Sequence, residues 1–155
     1  MADNLDKASR SVMMAKIRSH NTRPEIRVRR YLHKAGFRFR LHRKDLPGKP
    51  DLVLPMYRTA MFVHGCFWHQ HQGCKYSTTP KSNADYWNKK LARNLERDSV
   101  NFERLVELGW RVLIVWECSL KKKETASIAL KSTADWLRSN KTTGEVSGLY
   151  LVDFP

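Results

Sequence analysis

The sequence predicts an α/β fold, a mixed β-sheet flanked by helices. Three observations carry this. Apolar runs at Asp51–Leu54, Ala60–His64 and Trp110–Trp116 read as strands, the last a central one by its β-branched content. Segments at 22–36, 83–108 and 121–138 place apolar residues at helical spacing. The order α-β-β-β-α-β-α, over 155 residues with no internal repeat and no linker, suits one layered domain, residues 23–155, behind an N-terminal arm, residues 1–22.

The arm is polar and basic, with Met13, Met14 and Ile17 as its main apolar points. It reads as a segment with a short helix that orders on its partner. The first core helix has Thr22 as cap, Pro24 in the first turn and Glu25 at the positive end of the dipole. Ile26, Val28, Leu32 and Ala35 form its apolar stripe, and Gly36 ends it. Arg27, Arg29 and Arg30 are expected to face solvent or phosphate. Phe37–Leu41 alternates at period two and predicts a strand with one basic face; residues 46–50 are a turn. Residues 75–82 are a polar loop. In the long helix, Trp87, Leu91, Leu95, Phe102, Leu105 and Leu108 recur at helical spacing, with a break expected near Asp98. The final helix carries Ile128, Leu130, Ala134 and Leu137. The tail 139–155 reads as loop with an edge strand at 149–152.

The charge points to a polyanion. Lys and Arg total 29 against 15 acids, a net charge of +14, of which residues 1–50 carry +10. Such an asymmetric field fits nucleic acid. No apolar run approaches the roughly 20 residues of a membrane span, and Met1–Leu5 has no apolar core of a secretory signal. The cytoplasm is expected, where three cysteines serve as metal ligands or free thiols sooner than as disulfides.

Residues 64–74 hold three of the six histidines and two of the three cysteines. Cys66-x4-His71-x2-Cys74, with Cys118 as a remote fourth, is a set from which structural zinc is built, and it uses every cysteine in the chain. A second signal is Asp51 at one strand end beside Phe62-Val63-His64 on the next. A carboxylate so placed can hold Mg²⁺ against a scissile phosphate. The usual acid-x-Lys is replaced by Phe62 and His64, so a backbone carbonyl near Val63 has to supply an oxygen and a histidine has to activate water. His69 and His71 sit two apart, and only one need bind zinc.

At these residues the chain resembles the very-short-patch-repair (Vsr) DNA mismatch endonucleases. The matching segments are Leu46–Asp51, His64–His69, Asn94–Asp98 and Leu108–Cys118. The resemblance implies a restriction-endonuclease-like fold, a structural zinc site and Mg²⁺-dependent nicking of double-stranded DNA in bacterial repair. The implied substrate is a T:G mismatch left by deamination of 5-methylcytosine, cut on the 5′ side of the T. Asp51 is then the metal carboxylate, with the Val63 carbonyl beside it. His69 becomes the base and His64 its partner at the phosphate. Glu25 and Asp98 hold metal-bound waters or orient a histidine. Cys66, His71, Cys74 and Cys118 bind zinc. Phe67, Trp68 and Trp87 form an aromatic wedge that enters the DNA beside the mismatch, with Met14 as a further DNA contact. A monomer is implied, working with other mismatch-repair proteins and a repair polymerase. Two positions depart from the family pattern. Val63 stands where Thr is expected, and Gly73 lengthens the His71–Cys74 spacing by one residue. The rival readings are a restriction-type nuclease of the same fold and a zinc-stabilised DNA-binding module without catalysis.

Overall fold

A computed structural model describes residues 3–148 and the backbone of 150–152. Among these residues, six strands form one mixed sheet in chain order: β1 (Arg40–Leu41), β2 (Leu52–Leu54), β3 (Thr59–His64), β4 (Arg111–Trp116), β5 (Thr143–Ser147) and β6 (Tyr150–Val152). The β1–β2–β3 pairings are antiparallel, β3–β4–β5 are parallel, and β6 returns antiparallel. Helices cover both faces, as parallel strands require. Val28 and Leu32 of α2 (Arg23–Lys34) and Ala126 to Leu137 of α4 (Lys123–Arg138) pack on Leu52, Leu54, Met61, Leu113 and Val115. Leu105 and Phe102 of α3 (Ala84–Glu107) pack on Val53, Ala60, Phe62, Val112 and Ile114. The alternation of side chains along β3 and β4 thus sorts the core into two layers.

Local chemistry sets the ends of α2. Thr22 accepts the Glu25 N–H at 3.4 Å, and the Glu25 carboxylate reaches back to the Asn21 N–H at 2.9 Å. This reciprocal arrangement satisfies donors that a helix start leaves open. The predicted strand at 37–41 shrinks to Arg40–Leu41. Phe37 finishes α2 instead, its N–H bonded to Leu32 O at 2.9 Å and its ring buried against Tyr57. The arm does contain a helix, α1 (Lys7–Lys16), and it packs on the chain itself. The break expected near Asp98 is absent; α3 runs unbroken for 24 residues. Of the three arginines, Arg27 and Arg30 are exposed as expected, and Arg29 leaves the solvent. Arg27 donates to Leu120 O at 2.5 Å, and Arg29 turns to Glu25.

The tail holds more sheet than its polarity suggests. The 150–152 part of the expected edge strand is β6, and Leu149 lies outside the described residues. β5 has a single large apolar residue, Val146, so its pattern is weak. Two features hold it. Arg111 donates to the carbonyls of Trp136, Leu137, Ser139 and Lys141 at 2.6–3.1 Å, tying the end of α4 to β4. Gly144 lets the Trp136 indole lie directly on the strand, where an added methyl would sit 2.5 Å from Nε1. Gly144→Ala is expected to cost about 1–3 kcal/mol through overpacking, read as a lowered melting temperature.

Candidate active site and metal centre

The thiol cluster forms where β3 and β4 end together, since His64 pairs with Trp116 in the parallel register. Cys66 leaves β3 and Cys118 sits in the turn of 3-10 helix after β4. The ligand atoms of Cys66, His71, Cys74 and Cys118 all lie within 4.8 Å of one another. Cys66 and Cys118 Sγ each lie 3.5 Å from His71 Nδ1. The other ring nitrogen, Nε2, lies 2.8 Å from Ser147 Oγ, and the ring stacks on Trp116 at 4.0 Å. This partner fixes which nitrogen faces the sulfurs. Gly73, at φ +74°, makes the turn between His71 and Cys74. Hydrogen bonding to Cys118, then burial, pushes the Cys66 thiol up, while the Cys66 hydrogen bond pulls Cys118 down to about 5. Three sulfurs and an imidazole in this space are a donor set for a soft divalent cation.

The second cluster is His64, His69 and Asp98, whose ligand-type atoms also lie within 4.8 Å. The His64 and His69 rings stack at 3.6 Å with 7° between planes. His69 Nδ1 lies 2.5 Å from Asp98 Oδ2, so the Nδ1–H donates to the carboxylate and Nε2 is left as the ring's accepting atom. His64 is 4% exposed; burial, then His69 and Arg97, hold it well below the usual imidazole range.

Asp51 is bonded to β3 next to His64 in the chain. Its Oδ2 accepts the Val63 N–H at 2.7 Å, one residue before His64. Burial pushes its carboxyl up to about 7; Glu25 adds to the rise, and the Val63 hydrogen bond and Arg29 oppose it. Glu25 is 2% exposed and takes hydrogen bonds from Asn21, Thr22 and Arg29. Asp51, half-buried and bonded to the Val63 N–H, has the chemistry of a carboxylate that would hold a divalent cation.

The aromatic residues gather next to these groups. Phe67 and Trp68 are half-buried and 4.9 Å apart edge to face. Trp87, grouped with them on sequence, is only 3% exposed. Its indole N–H donates to Asp3 Oδ2 at 2.9 Å, and its ring meets Phe67 and Trp68 at 5.4 and 6.0 Å. It backs the pair and does not project with it. Asp3 also pairs with Arg10 of α1 at 2.6 Å, so the arm is tied to this cluster, while Met14 is half-buried on α1.

One stripe of α3 supports both the aromatic pair and the two histidines. Trp87 touches Phe67, Asn94 donates to Trp68 O at 3.0 Å, Asp98 holds His69, and Phe102 packs against His64 at 5.8 Å. Beside it, Lys89, Lys90, Arg93 and Arg97 give α3 a basic face suited to a phosphate backbone. Sequence reasoning gave no role to Asn94, although it opens one of the quoted segments. It also missed Ser147 and Glu117, which accepts the Cys66 N–H at 3.2 Å. Ser147 lies on the strand whose pattern was too weak to read.

Comparison with known proteins places the chain in a family. A family model described as DNA mismatch endonuclease Vsr matches residues 2–75. The chain is 48% identical over 135 residues to the type II nicking enzyme V.XorIIP of Xanthomonas oryzae pv. oryzae, covering 87% of this chain and 98% of the relative. It is 39% identical over 156 residues to the DNA mismatch endonuclease Vsr of Escherichia coli K12, covering 98% and 99%. A further relative is V.NmeAIP, a type II nicking enzyme of Neisseria meningitidis, at 46% identity over 123 residues, or 79% of this chain and 87% of the relative. These are nucleases, so the class is that of hydrolases acting on DNA. Within that class the chain belongs to the Vsr family of DNA mismatch endonucleases.

Proposed function

We propose that the protein nicks one strand of duplex DNA on the 5′ side of the T in a T:G mismatch, starting very short patch repair after deamination of 5-methylcytosine. The observation that supports this most is the stacked His64–His69 pair, held by Asp98 and lying one residue from the Val63 amide that Asp51 grips. A non-catalytic module has no use for such a cluster. In this reading Cys66, His71, Cys74 and Cys118 hold a structural Zn²⁺. Asp51 and the Val63 carbonyl hold Mg²⁺, with Glu25 accepting from surrounding waters. The Mg²⁺, when bound, supplies positive charge that stabilises the phosphate in the transition state.

The remaining steps belong to the chain. His69 Nε2 takes a proton from water, and the water oxygen attacks phosphorus while the bond to the leaving sugar oxygen breaks. Asp98 holds the ring in the tautomer that leaves Nε2 basic and stabilises the imidazolium that results. His64, kept neutral by burial, stacks on the base and contacts the phosphate. Phe67 and Trp68 wedge into the step beside the mismatch, where a mispair lowers the few kcal/mol of unstacking. The chain acts as a monomer in the bacterial cytoplasm, with a repair polymerase and other mismatch-repair proteins following it.

The deciding experiment is a nicking assay on labelled duplexes that differ only in T:G against C:G, with Mg²⁺ or EDTA. Mg²⁺-dependent cutting beside the T of the mismatch alone is expected. Equal cutting of both keeps the nuclease and removes the repair role, and binding without cutting favours the module. Trp68→Ala is expected to keep the fold and to lower kcat/KM on the mismatched duplex about 10- to 100-fold, the worth of one base–aromatic stack. Unchanged kinetics would remove Trp68 from the wedge.

A further inference from the structure

Arg29 is the residue on α2 whose position its sequence context does not explain. Its side chain is 14% exposed, although three basic residues in this stretch of the helix would be cheapest in water. Its Nη2 lies 2.9 Å from Glu25 Oε2 and 3.0 Å from His42 Nε2, and its Nη1 lies 2.7 Å from Asn21 Oδ1. Asn21 and His42 both have left-handed backbones, φ +55° and +49°. Asn and His are among the non-glycine residues that enter this region most readily, and here the turns aim both side chains at Arg29. Asn21 also donates its own N–H to the Glu25 oxygen that Arg29 holds. Two uncommon backbone turns therefore converge on one guanidinium, and that guanidinium grips one buried carboxylate.

We propose that Arg29, braced by Asn21 and His42, is a positioning residue that fixes the Glu25 carboxylate, so that Glu25 is preorganised to serve a divalent cation held at Asp51. This rests on the reading of Asp51 and Glu25 given above. A merely compensating charge would behave in the opposite way. Removing a positive charge near a cation site tightens cation binding by Coulomb's law, whereas loosening a carboxylate that serves the cation weakens it.

The sign can be read without activity. Free Mn²⁺ is followed by electron paramagnetic resonance as it is titrated into the full-length, zinc-loaded protein. Arg29→Gln is expected to weaken Mn²⁺ binding about 10-fold, with Arg29→Lys in between. Asn21→Gly keeps the left-handed turn and the arginine charge but removes the brace, and it is expected to weaken binding less than Arg29→Gln does. Equal or tighter binding by Arg29→Gln, with Asn21→Gly unchanged, overturns the proposal and leaves Arg29 a counter-charge. If Arg29→Gln fails to melt cooperatively, Asn21→Gly decides alone. Asp51→Asn serves as the control: if it binds Mn²⁺ as the parent does, the cation reading itself fails, and the proposal falls with it for that separate reason.

Discussion

Asp51→Asn is expected to leave DNA binding intact and to lower nicking by about three orders of magnitude or more, the equivalent of the several kcal/mol a catalytic cation supplies. Asparagine keeps an oxygen for the Val63 N–H, so the strand end stays in place. What goes is the negative charge. Gel-shift binding and nicking rates on the same T:G duplex check the two halves, and retained nicking would remove Asp51 from the site. The same substitution has a signature in stability. The folded carboxyl sits at about 7 and the unfolded one near 3.8. Below about pH 4 both states are protonated. Between about pH 4 and 7 only the unfolded state loses its proton, so stability falls as pH rises, and above 7 the loss is complete. The asparagine of the variant does not titrate. In metal-free buffer the melting temperature of Asp51→Asn should therefore gain on the parent across that window. Partial exposure screens the effect to on the order of 2–3 kcal/mol. Added Mg²⁺ should close the gap.

The second large effect concerns the thiol cluster. Cys66→Ser is expected to lose the bound zinc and on the order of 5 kcal/mol of stability, part of the roughly 10–16 kcal/mol that a structural zinc contributes. Cys66 is fully buried, and the cluster joins the chain after β3 to the turn after β4. His71→Ala should behave alike. His69→Ala should differ, keeping zinc and melting temperature while losing nicking, because His69 bonds Asp98 and not the sulfurs. Elemental analysis by mass spectrometry, thermal melts and nicking rates on the three variants separate the two histidines. Zinc retained in His71→Ala and lost in His69→Ala would reverse the assignment.

Much of this was legible because the signals were local. Thr22, Pro24 and Glu25 announce a helix start, and the apolar runs of β3 and β4 are long enough to read at once. The spacing of Cys66, His71 and Cys74 marked three members of the thiol cluster, and Cys118 entered as the one cysteine left over. What stayed hidden is tertiary. Nothing in Thr143–Ser147 marks a strand, because Gly144 earns its place through Trp136 and the segment is anchored by Arg111, 32 residues upstream of Thr143 in the chain. Arg29 reads as a surface charge until Asn21 and His42 are seen to turn towards it. Trp87 reads equally as core or wedge, and the choice depended on Asp3, which lies 84 residues away.

The uninterrupted α3 fixes the distance between its contact with the aromatic cluster and its contact with His69. Trp87 and Asp98 are separated by 11 residues, about 16 Å of axial rise and about 20° away from a shared azimuth. No loop lies between them to absorb slack. One inserted residue would swing one end by about 100° relative to the other and part either the aromatic cluster or the histidine from its support. Side chains along the rod can therefore be exchanged one by one, while the offset between the aromatic cluster and the His69–Asp98 pair is inherited as a gauge.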